Sequence, residues 1–163
     1  MMIHDFDMAR YLVKSEVVEV YAAGGVMIDK AIGEAGDIDT AIVTLKFANG
    51  VLGTIDNSRQ AVYGYDQRIE VFGSNGMIRA ENVETDTCIL SNAKGSHQPP
   101  LPHFFLDRYK SSYLTEMVKF LHCIENDTIP EVVGNDGLKA IQIALAAKES
   151  YLMNRPIEIK NTM

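Results

Sequence analysis

Residues 40–91 contain a series of β-type segments that no helical pattern interrupts. The runs TAIVTLKFA, VLGTIDNSRQAV and RIEVFGS are rich in β-branched and aromatic residues, and MIRAEN and TCILS continue the series. The pairs Asn49-Gly50 and Asn75-Gly76 predict tight hairpin turns, because asparagine and glycine adopt the positive φ that a primed turn requires. Since short turns join antiparallel neighbours, we predict a mostly antiparallel sheet.

Helical patterns lie on both sides of this block. Residues 2–14 have apolar side chains at helical spacing, and a second helix is predicted over residues 135–154, starting with an Asn/Asp cap. Between the block and that helix, residues 104–125 form an apolar stripe made by Phe105, Tyr109, Tyr113, Met117, Phe120 and Ile124. The order of these elements predicts an α+β fold, an open and mostly antiparallel sheet with helices packed on one face.

Length and charge limit the class of protein. With 163 residues, 47% of them apolar, the chain is predicted to form one domain over residues 1–163 with its own core. The net charge of −7 argues against nucleic acid or an anionic membrane as a partner, since both need a basic surface. No apolar run approaches the roughly 20 residues of a membrane span, and His4, Asp5 and Asp7 interrupt any signal-peptide pattern.

The two cysteines point to a reducing compartment. Cys88 lies in a strand-like run and Cys123 in a helix-like run, with no Cys-x-x-Cys pair between them. Two cysteines in a domain of this size usually indicate a reducing compartment, where each thiol packs as a small buried apolar side chain. We therefore expect a cytoplasmic chain.

The glycines do not form a cofactor cradle. Those at positions 24, 25, 33 and 36 do not match Gly-x-Gly-x-x-Gly, and the stretch 24–39 is predicted to be a mobile surface loop. The chain also contains no phosphate-loop motif, no His-Glu-x-x-His and no Gly-x-Ser-x-Gly. The sequence alone thus predicts no cofactor-binding residue and no metal site.

The most reactive side chains lie in IHDFDMARYL near the start of the chain. At 100° per residue, His4 and Asp7 share one helix face, and Phe6 lies on the other, apolar face. A histidine can move one proton near neutral pH, and a carboxylate one turn away can orient a hydroxyl group. The alternative is an ordinary helix start, where the helix dipole favours acids and the histidine is a paired surface residue.

A second polar concentration follows the strand TID. The residues from Asp56 to Gln60 are all polar and break the alternation of a half-buried strand, so both faces of the strand end are polar. Tyr63 and Tyr65 follow, and a tyrosine can both hydrogen-bond a polyol and stack on its C–H face. This pattern suits a cleft or a subunit interface, whereas a solvated sheet edge would explain the acids but not the tyrosines.

Three strings carry a family resemblance: IHDFDMARYL, GDIDTAIVTLKFANGVLGTIDNSRQAVYGYDQRIEVFGSNG and FFLDRYKSSYLTEMVKF. Together they resemble the C-terminal domain of the inositol 2-dehydrogenase branch of the glucose-fructose oxidoreductase/inositol dehydrogenase/rhizopine-catabolism (Gfo/Idh/MocA) family. The resemblance spans nearly all of the chain. It implies a C-terminal domain like that of glyceraldehyde-3-phosphate dehydrogenase, with the N-terminal NAD-binding Rossmann domain absent. It also implies a homo-dimer or homo-tetramer formed through the sheet face.

The resemblance implies an oxidoreductase that converts myo-inositol to 2-keto-myo-inositol with NAD. His4 matches the catalytic base of the family, whereas the family's aspartate and lysine have no counterpart in the chain. Asp7 and Tyr63 would bind the substrate, and Tyr109 is a further substrate-binding candidate for which core packing is the alternative. Asn57 and Arg59 are placed near the cleft or the interface.

The chain alone is then expected to bind no NAD and to be inactive. Two other functions stay open: a non-catalytic module that binds a polyol or only assembles, and a dehydrogenase of another inositol isomer or a sugar.

Overall fold

The structure, a computed structural model, describes residues 2–159. These residues form two compact units. The first unit combines residues 2–60 with residues 131–159, and the second consists of residues 61–130.

Four helices and eight strands make up the described chain. The helices are α1 (Ile3–Val13), α2 (Lys30–Glu34), α3 (Phe105–Asn126) and α4 (Gly134–Met153). The strands are β1 (Val17–Gly25), β2 (Thr40–Phe47), β3 (Leu52–Ser58), β4 (Ile69–Gly73), β5 (Gly76–Ala80), β6 (Leu90–Asn92), β7 (Gly95–His97) and β8 (Ile157–Glu158).

The first unit is built on a four-stranded sheet in the order β3-β2-β1-β8, in which all neighbours are antiparallel. Along β2, Val43, Leu45 and Phe47 are buried, whereas Ile42 and Lys46 point to the exposed face. This alternation is that of a sheet with one face on the core and one exposed. The predicted α+β fold with an antiparallel sheet is confirmed.

Helices α1 and α4 cover the buried face of this sheet. Helix α4 packs against β1 and β8, and α1 packs against α4. Phe6 of α1 is only 2% exposed, and Ile143 of α4 is equally buried. The core cluster consists of Phe6, Val17, Val20, Ala22, Val43, Leu45, Phe47, Ile143, Ala147 and Ile157.

The turn between β2 and β3 differs from the primed turn that was predicted. Gly50 has φ +86, but Asn49 does not have a positive φ. The backbone N–H of Gly50 donates to the carbonyl of Phe47 at 2.9 Å, which closes a three-residue loop ending in glycine. Only the last loop residue thus needs the left-handed conformation, as in hairpins with a glycine bulge.

The glycine-rich stretch 24–39 is more regular than the predicted surface loop. Strand β1 continues to Gly25, and α2 begins after Asp29, whose side chain accepts a hydrogen bond from the backbone N–H of Ala31 at 2.9 Å. Helix α2 is too short to show the apolar repeat on which sequence-based prediction depends.

The strands of the second unit form two separate hairpins, β4 with β5 and β6 with β7, instead of continuing the four-stranded sheet. The prediction placed β3 as far as residue 62, but it ends at Ser58. Strand β7 lies inside the proline-bearing segment and was not predicted. With three residues in each strand, this hairpin is too short to show alternation.

Four of the six side chains in the apolar stripe of α3 are exposed. Its side chains at Tyr113, Met117, Phe120 and Ile124 are between 48% and 62% exposed, and no residue of the helix is buried. Cys88 is exposed and Cys123 half-buried, so the expected burial of both thiols is wrong. Within residues 2–159, none of the helices combines the length and the apolar character needed to cross a bilayer.

Candidate active site

Helix α1 has one face on the core and one face that carries reactive groups. Phe6 is buried, and Met2, Ala9 and Val13 pack against the core cluster. On the opposite side His4 is exposed, and Tyr11 is 72% exposed. The two faces predicted from helical spacing are confirmed.

His4 and Asp7 lie one turn apart on the exposed face of α1. His4 is the second residue of the helix, and its imidazole is open to solvent. Asp7 is half-buried, and its Oδ1 accepts a hydrogen bond from Nη1 of Arg10 at 3.0 Å. A solvent-exposed imidazole thus lies one helical turn from a carboxylate that Arg10 binds.

Arg10 forms ion pairs with three carboxylates although its side chain is only 9% exposed. Its Nε and Nη2 donate to the two oxygens of Glu16 at 3.0 and 2.8 Å, a bidentate pair. Asp136 lies 3.4 Å from Nη2. The hydrogen bond with Glu16 is the main cause that raises the pKa of Arg10, and the same bond lowers the pKa of Glu16.

The start of α4 fixes the position of Asp136. The N-cap residue is Val133, not the predicted Asn/Asp pair, and its backbone N–H donates to Oδ2 of Asp136 at 2.9 Å. This backbone hydrogen bond, followed by the charge of Arg10, lowers the pKa of Asp136. The acid caps the helix from its third position, which satisfies an N–H group that the helix itself leaves unpaired.

The polar end of β3 reaches α1 through Asn57. Its Nδ2 donates to Oδ2 of Asp5 at 3.4 Å and to the carbonyl of Asp56 at 2.8 Å. Asp56 and Ser58 are exposed, whereas Asn57 is half-buried, so both faces of this strand end are polar, as predicted. Arg59 follows the strand, and its backbone N–H donates to the carbonyl of Asp39 at 2.9 Å.

Asp39 holds the segment between β1 and α2. Its carboxylate is fully buried and accepts backbone hydrogen bonds from Met27, Ile28 and Asp29 at 2.8 to 3.1 Å, together with the hydroxyl of Thr40. Burial alone would raise the pKa of Asp39, but these donors outweigh it and lower the pKa to about 2. Asp39 was not singled out from the sequence, since its donors lie ten to twelve residues earlier.

Tyr63 belongs to a hydrogen-bonded cluster in the second unit. Its hydroxyl donates to Oδ2 of Asp66, which also accepts from Nη2 of Arg68 at 3.0 Å. Asn82 donates to Oδ1 of Asp66 at 2.7 Å. The hydrogen bond from Arg68 is the main cause that lowers the pKa of Asp66 to about 2. Tyr63 also lines a cleft of about 530 Å³ together with Glu81, Asn82, Glu84, Gln98, Pro99, Pro100 and Leu101.

Tyr109 is half-buried on α3 and packs edge-to-face against Tyr65, with ring centroids 5.9 Å apart. The guanidinium of Arg108 lies 5.5 Å from the centre of the Tyr109 ring. Tyr109 is not part of the buried core cluster of the first unit. Of the four candidate residues, His4 and Asp7 are brought together in the first unit, and Tyr63 and Tyr109 lie in the second.

The comparisons with known proteins agree with this architecture. Residues 1–79 match the family model of the GFO/IDH/MocA C-terminal domain. The chain is 49% identical to a myo-inositol 2-dehydrogenase of Thermotoga maritima over 163 residues, which are 100% of this chain and 49% of that protein. The chain thus spans about half the length of the curated relatives it matches.

Solved structures show the same fold. A myo-inositol dehydrogenase from Corynebacterium glutamicum, 39% identical, superposes with a TM-score of 0.94 over 99% of this chain and 49% of that one. The scyllo-inositol dehydrogenase from Lactobacillus casei with bound NAD(H) and scyllo-inositol, 26% identical, gives a TM-score of 0.90 over 98% of this chain and 47% of that one. The chain therefore belongs to the Gfo/Idh/MocA family and has the fold of its C-terminal domain.

Proposed function

We propose that this chain is the substrate-binding and catalytic-base part of an inositol 2-dehydrogenase that oxidises myo-inositol to 2-keto-myo-inositol with NAD. The observation that carries the proposal is the exposed His4 imidazole one turn from Asp7, on a helix whose other side is fixed in the core. The 49% identity over the whole chain to a myo-inositol 2-dehydrogenase supports the same substrate class.

In this proposal His4 accepts the proton of the ring hydroxyl that is oxidised. An exposed imidazole suits this role because it can take a proton from the substrate and return it to water. Asp7 accepts a hydrogen bond from a neighbouring ring hydroxyl and so fixes the ring relative to His4. Tyr63 and Tyr109 are proposed to bind the polyol through their hydroxyl groups and ring faces.

The residues described do not fit the NAD that the family implies. A dinucleotide cradle needs a glycine-rich turn between a strand and a helix within a parallel unit. All strand pairs among residues 2–159 are antiparallel. NAD would supply a hydride acceptor when bound; we assign no residue of this chain to it and expect the chain alone not to oxidise inositol.

Two relatives make scyllo-inositol a second candidate substrate. The dehydrogenase from Lactobacillus casei was solved with scyllo-inositol, an isomer that differs from myo-inositol in the orientation of one hydroxyl group. A curated scyllo-inositol 2-dehydrogenase of Bacillus subtilis is 31% identical to the chain. Both isomers are therefore tested as ligands.

The test is isothermal titration of the purified chain with myo-inositol and then with scyllo-inositol. His4→Ala and Asp7→Ala are each expected to weaken the affinity about fivefold or more, the value of one lost hydrogen bond. His97→Ala is the matched control, since His97 is an exposed histidine on β7, and it is expected to change the affinity less than about twofold.

Two results would contradict the proposal. The first is a wild-type chain that binds neither isomer. The second is an equal loss of affinity in His4→Ala and His97→Ala. NADH formation by the purified chain with myo-inositol, followed at 340 nm, would overturn the expectation that the chain alone is inactive.

A further inference from the structure

We infer that Arg10 is the positioning residue of the site: it fixes the Asp7 carboxylate so that its second oxygen binds a ring hydroxyl next to His4. This inference rests on the proposed function, because it assigns Asp7 to the substrate. Arg10 itself touches no reacting atom in this proposal and acts only through Asp7.

The first step is that partners other than Asp7 hold the Arg10 guanidinium in place. The bidentate pair with Glu16 uses Nε and Nη2 and therefore sets the plane of the guanidinium. Asp136, held by the N-cap of α4, approaches the same group at 3.4 Å. Glu16 lies between α1 and β1, so Arg10 is tied to three different segments of the first unit.

The second step concerns the two oxygens of Asp7. Its Oδ1 accepts from Nη1 of Arg10 at 3.0 Å. A carboxylate has two acceptor oxygens, and one bond to a fixed donor restricts the rotation that would otherwise move the second. The side chain of Asp7 is 38% exposed, so the carboxylate is open to a ligand, and in this proposal the second oxygen binds it. In an ion pair spaced i,i+3 with both side chains exposed, the carboxylate would stay mobile. Here the Arg10 side chain is only 9% exposed, so it holds the Asp7 carboxylate in place.

A purely structural role for Arg10 makes a different prediction. In that case any variant that destabilises the first unit, including one outside the network, would weaken ligand binding in proportion to the stability it loses. If Arg10 instead positions Asp7, replacing Arg10 weakens ligand binding only through Asp7. A double-mutant cycle between Arg10 and Asp7 separates the two, because residues that act as one unit are not additive.

The experiment measures myo-inositol affinity by titration and thermal unfolding for Arg10→Gln, Asp7→Asn and the double variant. We expect Arg10→Gln to weaken binding about tenfold, the value of a charge-assisted hydrogen bond, and the double variant to bind no more weakly than Asp7→Asn. Arg10→Lys is expected to recover part of the affinity, since it keeps the charge but loses the planar fork.

Ser150→Ala is the stability control, because Ser150 lies on α4 outside this network. Its buried hydroxyl accepts from the backbone N–H of Ala22 at 3.0 Å and donates to the carbonyl of Arg155 at 2.7 Å, so we expect a lower melting temperature with affinity within about twofold of wild type. Multiplicative effects of Arg10→Gln and Asp7→Asn, or an equal loss of affinity in Ser150→Ala, would overturn the positioning role. If Asp7→Asn itself leaves the affinity unchanged, the substrate role of Asp7 fails, and the role of Arg10 fails with it.

Discussion

Asp39 in the first unit and Asp66 in the second are carboxylates stabilised in their ionised form by several hydrogen bonds. In the first unit the buried Asp39 accepts from three consecutive backbone N–H groups, and in the second unit Asp66 accepts from Arg68, Tyr63 and Asn82. The pKa of both carboxyl groups is lowered to about 2. Since the ordinary value is 3.8, the folded state favours the ionised form of each acid.

This preference gives the stability a defined dependence on pH. The folded-state pKa values lie below the unfolded ones, so the stabilisation is fully present above about pH 4 and is lost as the pH falls towards 2. Asp39→Asn replaces one acceptor oxygen with an NH₂ group facing backbone donors. We therefore expect a lower melting temperature than wild type at pH 7, with the difference shrinking below pH 4.

The control is Asp37→Asn, because Asp37 is exposed and, among residues 2–159, its carboxylate accepts only from the adjacent N–H of Ile38. Differential scanning calorimetry between pH 7 and pH 2 provides the comparison. A difference between Asp39→Asn and wild type that stays constant across this range would contradict the role assigned to the carboxylate.

At the residue scale, helical spacing in the sequence predicts the two faces of α1 but not the residues that pair with Arg10. The faces of His4 and Phe6 follow from 100° per residue and were predicted from ten consecutive letters. The partners of Arg10 include Asp136, which lies 126 residues away. No local pattern encodes such a pair, so the network that fixes Asp7 became visible only in the folded chain.

At the scale of elements, the pairing of β1 with β2 depends on a close approach at Gly24. A Cβ atom at this position would lie 2.6 Å from the carbonyl oxygen of Thr40 and 2.7 Å from Cδ1 of Ile38. Because the first of these atoms belongs to the backbone of β2, it cannot move without displacing the strand. The neighbouring Gly25 would place its Cβ 3.1 Å from Cε of Met27, the flexible end of a side chain.

The two glycines therefore make a matched pair. We expect Gly24→Ala to reduce the free energy of unfolding by about 1–3 kcal/mol, as overpacking does in other proteins. Gly25→Ala is expected to change it by less than about 1 kcal/mol, since the Met27 side chain can rotate away. Urea unfolding followed by circular dichroism compares them, and equal losses would show that the approach to Thr40 does not limit this site.

The longer elements were predictable, and the shortest were not. The predicted helices 2–14, 104–125 and 135–154 correspond to α1, α3 and α4 within two residues at each end. Strand β8 has two residues and is defined only by its pairing with β1, at Glu158 opposite Glu19. A periodic pattern needs several repeats, whereas such strands form because a long-range partner supplies their hydrogen bonds.

At the scale of the whole molecule, the exposed face of the four-stranded sheet is the surface proposed for assembly with a second copy. Across β1, β2 and β3, Ala23, Ile42 and Asp56 lie opposite one another, and Ile42 is 55% exposed. Leu52 on the same face is 70% exposed. Exposed apolar side chains such as Ile42 and Leu52 on a sheet face suit a self-complementary contact between identical chains.

We expect Ile42→Glu to lower the average mass of the chain in solution towards that of the monomer, because a buried charge in a two-fold contact meets its own copy. Val62→Glu is the control, since Val62 is 82% exposed and lies in the other unit. Size-exclusion chromatography with light scattering measures the mass. A wild-type chain that is already monomeric, or an unchanged mass in Ile42→Glu, would contradict assembly through this face.

The first unit is built from two separate stretches of sequence, and this determines when it can fold during synthesis on the ribosome. Its core needs Ile143 and Ala147 of α4 and Ile157 of β8, all of which follow the second unit along the chain. Residues 61–130 are contiguous and leave the exit tunnel before α4, whereas β1 and β2, which are made earlier, have an uncovered apolar face until α4 is made. The nascent first unit therefore depends on late residues, and a ribosome that stops within α3 releases a chain whose sheet has no helix α4 to cover it.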